Sequence, residues 1–463
     1  MMRPIALSSL AYFMLSQKLP NALKPQLKGG DAMFTRVSTD TRTLDAGDLF
    51  IALRGERFDA HDFLAQAEAR QPCAMVVEKF NPAIQLPQLV VADSTLALGQ
   101  VAALNRSLFT GPLVAITGSS GKTTVKTLVA SILGECGETL ATRGNLNNHI
   151  GVPLTLLELE ERHQFAVIEM GASGPSEIAY ACSLAKPQVA MINNVMPAHI
   201  EGFGSIAGVA NAKSEIYGGL VTGGIAVVNI DDAFAPQWIQ QLAGKKTLTV
   251  SLVNPDANCR AEAIEYASEH LAFDLLIHRQ RLRIILNAQG EHSVRNALMA
   301  AACAYALGAS MEQIQRGLAR FAPVAGRMSR QRGIHNALII DDSYNANPGS
   351  VRAAIDVLAQ AEDSILVLGD LAELGETATE QHAALGDYAK QKHINRLFTL
   401  GVLTANTSSH FGEGAQHFTE RNQLLAALIP LLTSGTTVLV KGSRSSKMDL
   451  VVRELCETSG ETH

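Results

Sequence analysis

The chain has 463 residues, 47% hydrophobic and 18% charged, and carries a net charge of −6 at pH 7. At about 150 residues per domain, this length predicts about three domains, each large enough to bury its own core. The acidic balance excludes the basic field that nucleic acid or anionic lipid needs, and the longest apolar stretch, Ala297 to Ala306, is far short of the ~20 residues of a membrane span.

Six scattered cysteines, Cys73, Cys136, Cys182, Cys259, Cys303 and Cys456, contain no C-x-x-C pair and read as reduced thiols of a cytosolic protein. Along the chain, Met1 to Leu15 places Arg3 ahead of an apolar stretch, as a secretory leader would. Ser8 and Ser9 interrupt it and no small-residue cleavage site precedes Lys18, so an amphipathic opening helix is expected. Short β-like runs follow, Leu49 to Leu53, Ala74 to Val77 and Leu89 to Val91, giving a small α/β domain over 1–94. Over 95–322, the runs Leu113 to Ile116, Phe165 to Ile168, Val189 to Ile192 and Ile225 to Val228 alternate with helical patterns. That alternation predicts a mostly parallel, helix-covered sheet. A polar stretch from Ser251 to Leu286 suggests an added hairpin or edge, before a helix at His292 to Leu307. Past Pro323, strands at Leu338 to Asp341, Ile365 to Leu368, Leu397 to Leu400 and Thr437 to Val440 predict a Rossmann-like third domain over 323–463. The expected class is thus α/β in three domains, with the two outer ones flanking a central P-loop sheet across a cleft.

The most informative residues run from Leu113 to Thr124, where an apolar strand enters the turn Gly118-Ser119-Ser120-Gly121 and then Lys122, Thr123 and Thr124. Glycines let successive N–H groups point at an anion, and the following helix presents its positive end. Lys122 would neutralise the β- and γ-phosphates of ATP, and the Thr123 hydroxyl would ligate Mg²⁺. The general pattern G-x-x-x-x-G-K-[ST] asks for glycine at 116, where this chain has Ile116, so the turn is a shortened variant.

Ligands of open α/β sheets sit at the carboxyl ends of strands. Glu169 ends one run, and another leads through Asn193 and Asn194 to His199, so both reach the edge that carries Thr123. A carboxylate suits Mg²⁺, and a histidine suits a second divalent ion or the water around it. Singly, each also reads as an ordinary strand-end acid or a hydrogen-bonded histidine. The amides of Asn145, Asn147 and Asn148 suit either a polar ligand or Asx turns. On sequence alone Lys213 is a solvated helix lysine. The loop Asp341 to Pro348, with Asp342, Tyr344 and Asn345, suits a ribose, an adenine face or a carboxylate substrate. Arg327 is either structural or an arginine finger in cis.

Taken together, these residues resemble the Mur ligases and their relative folylpolyglutamate synthase. The cradle Thr117 to Thr124, Asn145 to Asn148 with Gly151-Val152-Pro153, Glu169, Asn194 to His199, Lys213, His292 to Asn296, Arg327 and the 341–348 loop match in order over essentially the whole chain. Ser38-Thr-Asp-Thr-Arg42, Gly47 to Leu53 and Leu368 to Gly375 point to the branch that adds D-alanyl-D-alanine to a UDP-N-acetylmuramoyl-tripeptide in the cytoplasm. The Asp-Asn-Pro-Arg signature of the tripeptide-forming relative is absent. A monomer is expected, and the resemblance implies an ATP-dependent ligase that forms ADP and phosphate, with Ser38, Asp40 and Arg42 near the uridine nucleotide. It implies Asn296 and His292 near the adenine, Arg327 and Asp342 on the ATP, and Lys213 as a carbamylated magnesium ligand. Ala60 and Met196 stand where glycine is common, and Met196 weakens the placement of His199. Folylpolyglutamate synthase or another step of the same family is the nearer alternative. A P-loop switch or motor ATPase is the more distant one, disfavoured because the strand ends in Glu169 and the arginine lies in cis.

Overall fold

The computed structural model describes residues 2–17, 23–55, 58–197, 200–267 and 270–456. At the N-terminus, β1 (Ile5–Ala6) pairs antiparallel with β3 (Met33–Phe34). A five-stranded sheet joins β2 (Gln26–Lys28), β4 (Val37–Ser38), β5 (Leu49–Ile51), β6 (Ala74–Val77) and β7 (Gln88–Val90) in the order β2-β7-β6-β5-β4, parallel except at β2. The opening helix, Leu7–Ser16, forms as expected and buries Leu7, Leu10 and Met14.

The large sheet comprises β8 (Leu113–Thr117), β9 (Thr139–Ala141), β10 (Phe165–Glu169), β11 (Val189–Ile192), β12 (Ile225–Asn229), β13 (Lys246–Ser251), β14 (Cys259–Tyr266), β15 (Leu271–Ile277) and β16 (Gln280–Leu286). Its order is β16-β15-β14-β13-β12-β11-β8-β10-β9. Strand β8 is buried along its whole length because helices cover both faces of the sheet, and this is why its sequence is an unbroken apolar run. One face packs on helices Lys122–Gly134, Glu291–Ala306 and Met311–Ala319. On the other face, Leu98, Val101 and Ala102 of helix Ser94–Leu108 share a core with Leu49, Val76 and Leu89 of the N-terminal sheet. The polar stretch expected to add a hairpin or edge forms the edge: β14, β15 and β16 run antiparallel, and β14 and β16 expose many of their residues. The short β9 and the half-exposed β13 escape a hydrophobicity reading for the same reason.

The third sheet, order β17-β18-β22-β19-β20-β21, comprises β17 (Ser329–Arg332), β18 (Leu338–Asp342), β19 (Asp363–Gly369), β20 (Arg396–Leu400), β21 (Ala415–Phe418) and β22 (Thr436–Lys441). Only β17 is antiparallel, and separate apolar cores lie on the two faces. This body sits close against the central one: a Cβ at Gly349 would stand 2.6 Å from Met196 Sδ, and one at Gly290 would stand 2.7 Å from Val357 Cγ2. Among the described residues the six cysteines are free, and no helix is long and apolar enough to cross a membrane.

Candidate active site

Strand β8 ends at Thr117, and the chain turns through Gly118 to Gly121 into helix Lys122–Gly134. Gly121 has φ +74°, and a Cβ there would lie 2.6 Å from Asn193 Nδ2 and 2.8 Å from Asn296 Oδ1, so only glycine fits without rearrangement. Ile116 belongs to the strand and packs in the core, so its departure from the general pattern leaves the turn intact. The loop is tied to the segment after β11. Ser119 N–H donates to Asn194 O and Ser120 N–H to Asn194 Oδ1, both at 2.9 Å, while Asn193 Nδ2 donates to Ser120 O and to Asn296 Oδ1, also at 2.9 Å. Asn296 thereby braces the turn from helix Glu291–Ala306.

Lys122 Nζ curls back to donate to Gly118 O at 2.8 Å. Burial lowers its proton affinity, opposed by Glu169 and reinforced by Arg327. An arriving polyphosphate supplies the missing counter-charge. Thr123 Oγ1 donates to Glu169 Oε2 at 2.9 Å, Asn147 Nδ2 donates to Glu169 Oε1 at 2.8 Å, and Lys126 Nζ stands 4.0 Å from Oε2. A buried carboxylate facing a hydroxyl is a pair of hard oxygen donors, which fits Mg²⁺. Among the described residues no group of three His, Cys, Asp or Glu side chains forms an all-protein cage. In the amide-rich stretch Asn147 orients Glu169, and Asn148 Oδ1 accepts the Gly151 N–H at 2.8 Å as an Asx turn.

Lys213 is not the solvated lysine that sequence alone suggested. Helix Ile206–Gly218 turns Val209, Lys213 and Ile216, spaced four and three residues apart, to the same inner face, leaving Lys213 only 2% exposed. Burial, and secondarily the charge of Lys122, pulls its pKa down to about 7. His199 lies outside the described residues. Met196 is not among the residues with positive φ, so its backbone does not require the glycine common at this position.

Across the cleft stand residues of the third body. Gly326 N–H donates to Asp341 Oδ2 at 3.0 Å and Met328 N–H to Asp342 Oδ1 at 3.2 Å, which fixes the backbone on either side of Arg327. The Arg327 guanidinium lies 4.2 Å over the Tyr344 ring. Lys441, the last residue of β22, bonds Asp342 Oδ2 at 2.5 Å. The resulting cavity, of about 370 Å³, brings together the 119–124 turn, Asn145, Asn147, Asn148, Glu169, Lys213, His292, Asn296, Arg327, Asp342, Tyr344 and Asn345. Partly buried His292 is pushed down to about 4 by desolvation and then by Lys441 and Arg295, so it is neutral. Ser38, Asp40 and Arg42 are not in this cavity. They form their own cluster at the end of β4, where Arg42 pairs with Asp40 at 2.6 Å and holds that carboxyl down to about 2. Sequence reasoning passed over Lys126 and Lys441, and met Asn193 only on the way to His199. Lys441 carried a readable signal, because it directly follows the apolar run Thr437 to Val440.

Two family models match the chain: the Mur ligase middle domain over residues 116–304, and the Mur ligase, glutamate ligase domain over residues 326–444. The UDP-N-acetylmuramoyl-tripeptide--D-alanyl-D-alanine ligase of Escherichia coli (strain K12) is 44% identical over 446 residues, spanning 96% of this chain and 98% of that one. A crystal structure of MurF from Acinetobacter baumannii superposes with a TM-score of 0.91 at 35% identity, covering 99% of this chain and 100% of that one. The MurF ligase of Thermotoga maritima in complex with ADP gives 0.83 at 25% identity, over 91% and 96%. With the cradle, the carboxylate and the facing arginine in one cleft, and with 44% identity across nearly its full length, the chain belongs to the Mur ligase family, in its MurF branch.

Proposed function

We propose that this protein is an ATP-dependent ligase that joins D-alanyl-D-alanine to UDP-N-acetylmuramoyl-tripeptide, giving the pentapeptide precursor of peptidoglycan together with ADP and phosphate. The observation that carries the reading is the cleft itself, where a phosphate cradle on one body faces Arg327 and Asp342 on another. Such a division suits a reaction that assembles its site on closure and keeps an activated intermediate from water. A carboxylate is a poor electrophile. Its oxygen attacks the γ-phosphorus, ADP leaves, and the acyl phosphate then accepts the dipeptide amine at its carbonyl carbon. The tetrahedral adduct loses a proton from nitrogen and expels phosphate. Lys122 and Arg327 spread the charge on the transferring group, and Mg²⁺, held by Thr123, Glu169 and His199, would add Lewis-acid neutralisation of the phosphates.

In this reading residues 1–94 bind the uridine nucleotide, with Ser38, Asp40 and Arg42 near it, 95–322 bind ATP, and 323–463 close on both. Asn296 and His292 sit beside the adenine, Asp342 contacts the nucleotide, and Asn145, Asn148, Tyr344 and Asn345 contact the peptide substrates, while Asn147 acts through Glu169. The protein works in this reading as a cytoplasmic monomer. Phosphate release should require the UDP-linked tripeptide and run to completion only with D-alanyl-D-alanine. Rapid hydrolysis indifferent to both substrates would point instead to a switch or motor ATPase.

Lys213 completes the metal side as a carbamate. Its neutral amine adds to CO₂, losing a proton and becoming a carboxylate-like ligand. A pKa of about 7 leaves about half of the amine unprotonated at neutral pH, whereas a solvated lysine with pKa ~10.4 would be almost wholly charged. Stripping CO₂ should therefore lower turnover, resupplying CO₂ at a fixed pressure should restore it faster as the pH rises through 7, and Lys213→Arg should be inactive with or without CO₂. Full activity of Lys213→Arg would rule the carbamate out.

A further inference from the structure

Strand β22 is buried throughout, and its last residue, Lys441, lies opposite Asp342 of β18 and Leu368 of β19 in parallel register. A lysine 2% exposed at the centre of a sheet is retained only if its charge is matched. Two of its three N–H donors are committed, to Asp342 Oδ2 at 2.5 Å and Asn345 O at 3.0 Å, and the residue lines the cleft. We propose that Lys441 is a positioning residue of the nucleotide site, holding the Asp342 carboxylate ionised and the Asn345 turn in place on the third body's side of the cleft. The inference rests on the reading of this cleft as the ATP site.

Few other charges compete for this role. Arg327 faces Asp342 from the joint before β17, and the Met328 N–H reaches its other oxygen. The neighbouring Asp341 carboxylate is engaged by the Gly326 N–H and by Ser343. From the central body His292 is neutral above about pH 4, and Asp356, in the third body's helix Pro348–Leu358, acts on His292. Burial pushes the Asp342 carboxyl above its ordinary range, while Lys441 and then Arg327 pull it back. Without Lys441 burial pushes the carboxyl further up and favours its protonated form, which can no longer accept hydrogen bonds on both oxygens.

The test is ADP affinity, with Mg²⁺, of the full-length protein and four variants between pH 6 and 9, read by titration calorimetry beside thermal melts. Lys441→Met should weaken ADP roughly 100-fold at pH 7, the scale expected when one partner of a buried charged pair is removed, and recover part of that loss as pH rises. Lys441→Arg should stay within about tenfold of the wild type. Asp342→Asn should weaken binding without pH dependence, and Lys441→Met added to it should cost no more than about twofold further. That double variant also removes the unpaired buried charge, so it folds if Lys441→Met alone does not. An equal loss from Lys441→Met in both backgrounds, with no pH dependence, would mean a purely structural lysine and overturn the proposal. If the wild type itself fails to bind ADP, the nucleotide reading falls first.

Discussion

Lys122→Ala should lower turnover by on the order of 10³-fold or more while leaving the thermal melt close to that of the wild type. Among the described residues the side chain is anchored by one hydrogen bond, to Gly118 O within its own loop, so its removal opens no core cavity and breaks no buried ion pair there. What disappears is the one cation set within the phosphate turn, at the first position of helix Lys122–Gly134. Its lowered proton affinity means that the ligand-free site holds this charge at a cost that bound phosphate relieves. The interaction should strengthen further as charge builds on the transferring group, which places the loss in kcat as well as in the KM for ATP. Single-turnover measurement of acyl phosphate formation, without the dipeptide, isolates the step. A variant that forms acyl phosphate at the wild-type rate would remove Lys122 from the chemistry.

The same stretch explains how far the sequence could be read. Buried parallel strands such as Leu113–Thr117 and Val189–Ile192 announce themselves as apolar runs because both faces are covered, and the strand-end rule then leads to Glu169 and Asp342. Short or half-exposed strands, Thr139–Ala141 and Ala415–Phe418, lack that signal. Lys213 misled a residue-by-residue reading, since lysine is rarely buried, although its spacing from Val209 and Ile216 placed it on the inner face. Asn147 was legible as an amide near a ligand but not as the partner of Glu169, because that contact joins residues 22 positions apart. Ser38, Asp40 and Arg42 lie at the end of a separate sheet, so nothing local could tell whether they faced the central cleft.

Arg327→Ala is the second large effect, expected to lower kcat by roughly 10³-fold with the KM for ATP changed less than tenfold. The guanidinium approaches from the third body, yet its charge reaches Lys122 and Lys126 in the central one, lowering the proton affinity of both. Lys122 and Arg327 line the same cleft and repel each other until a polyanion arrives, so Arg327 should matter most when the negative charge is greatest, in the transition state. Its aim is set by the Tyr344 ring at 4.2 Å, with Arg444 also near that ring at 5.9 Å. Tyr344→Phe preserves the π-face and should retain most of the rate, whereas Tyr344→Ala should reproduce part of the Arg327→Ala defect. Arg327→Lys, which keeps the charge but loses the planar fork and the stacking, should fall between wild type and alanine. If Arg327→Ala instead raised the KM for ATP and left kcat intact, the arginine would serve uniform binding, and closure of the third body would contribute no charge to phosphoryl transfer.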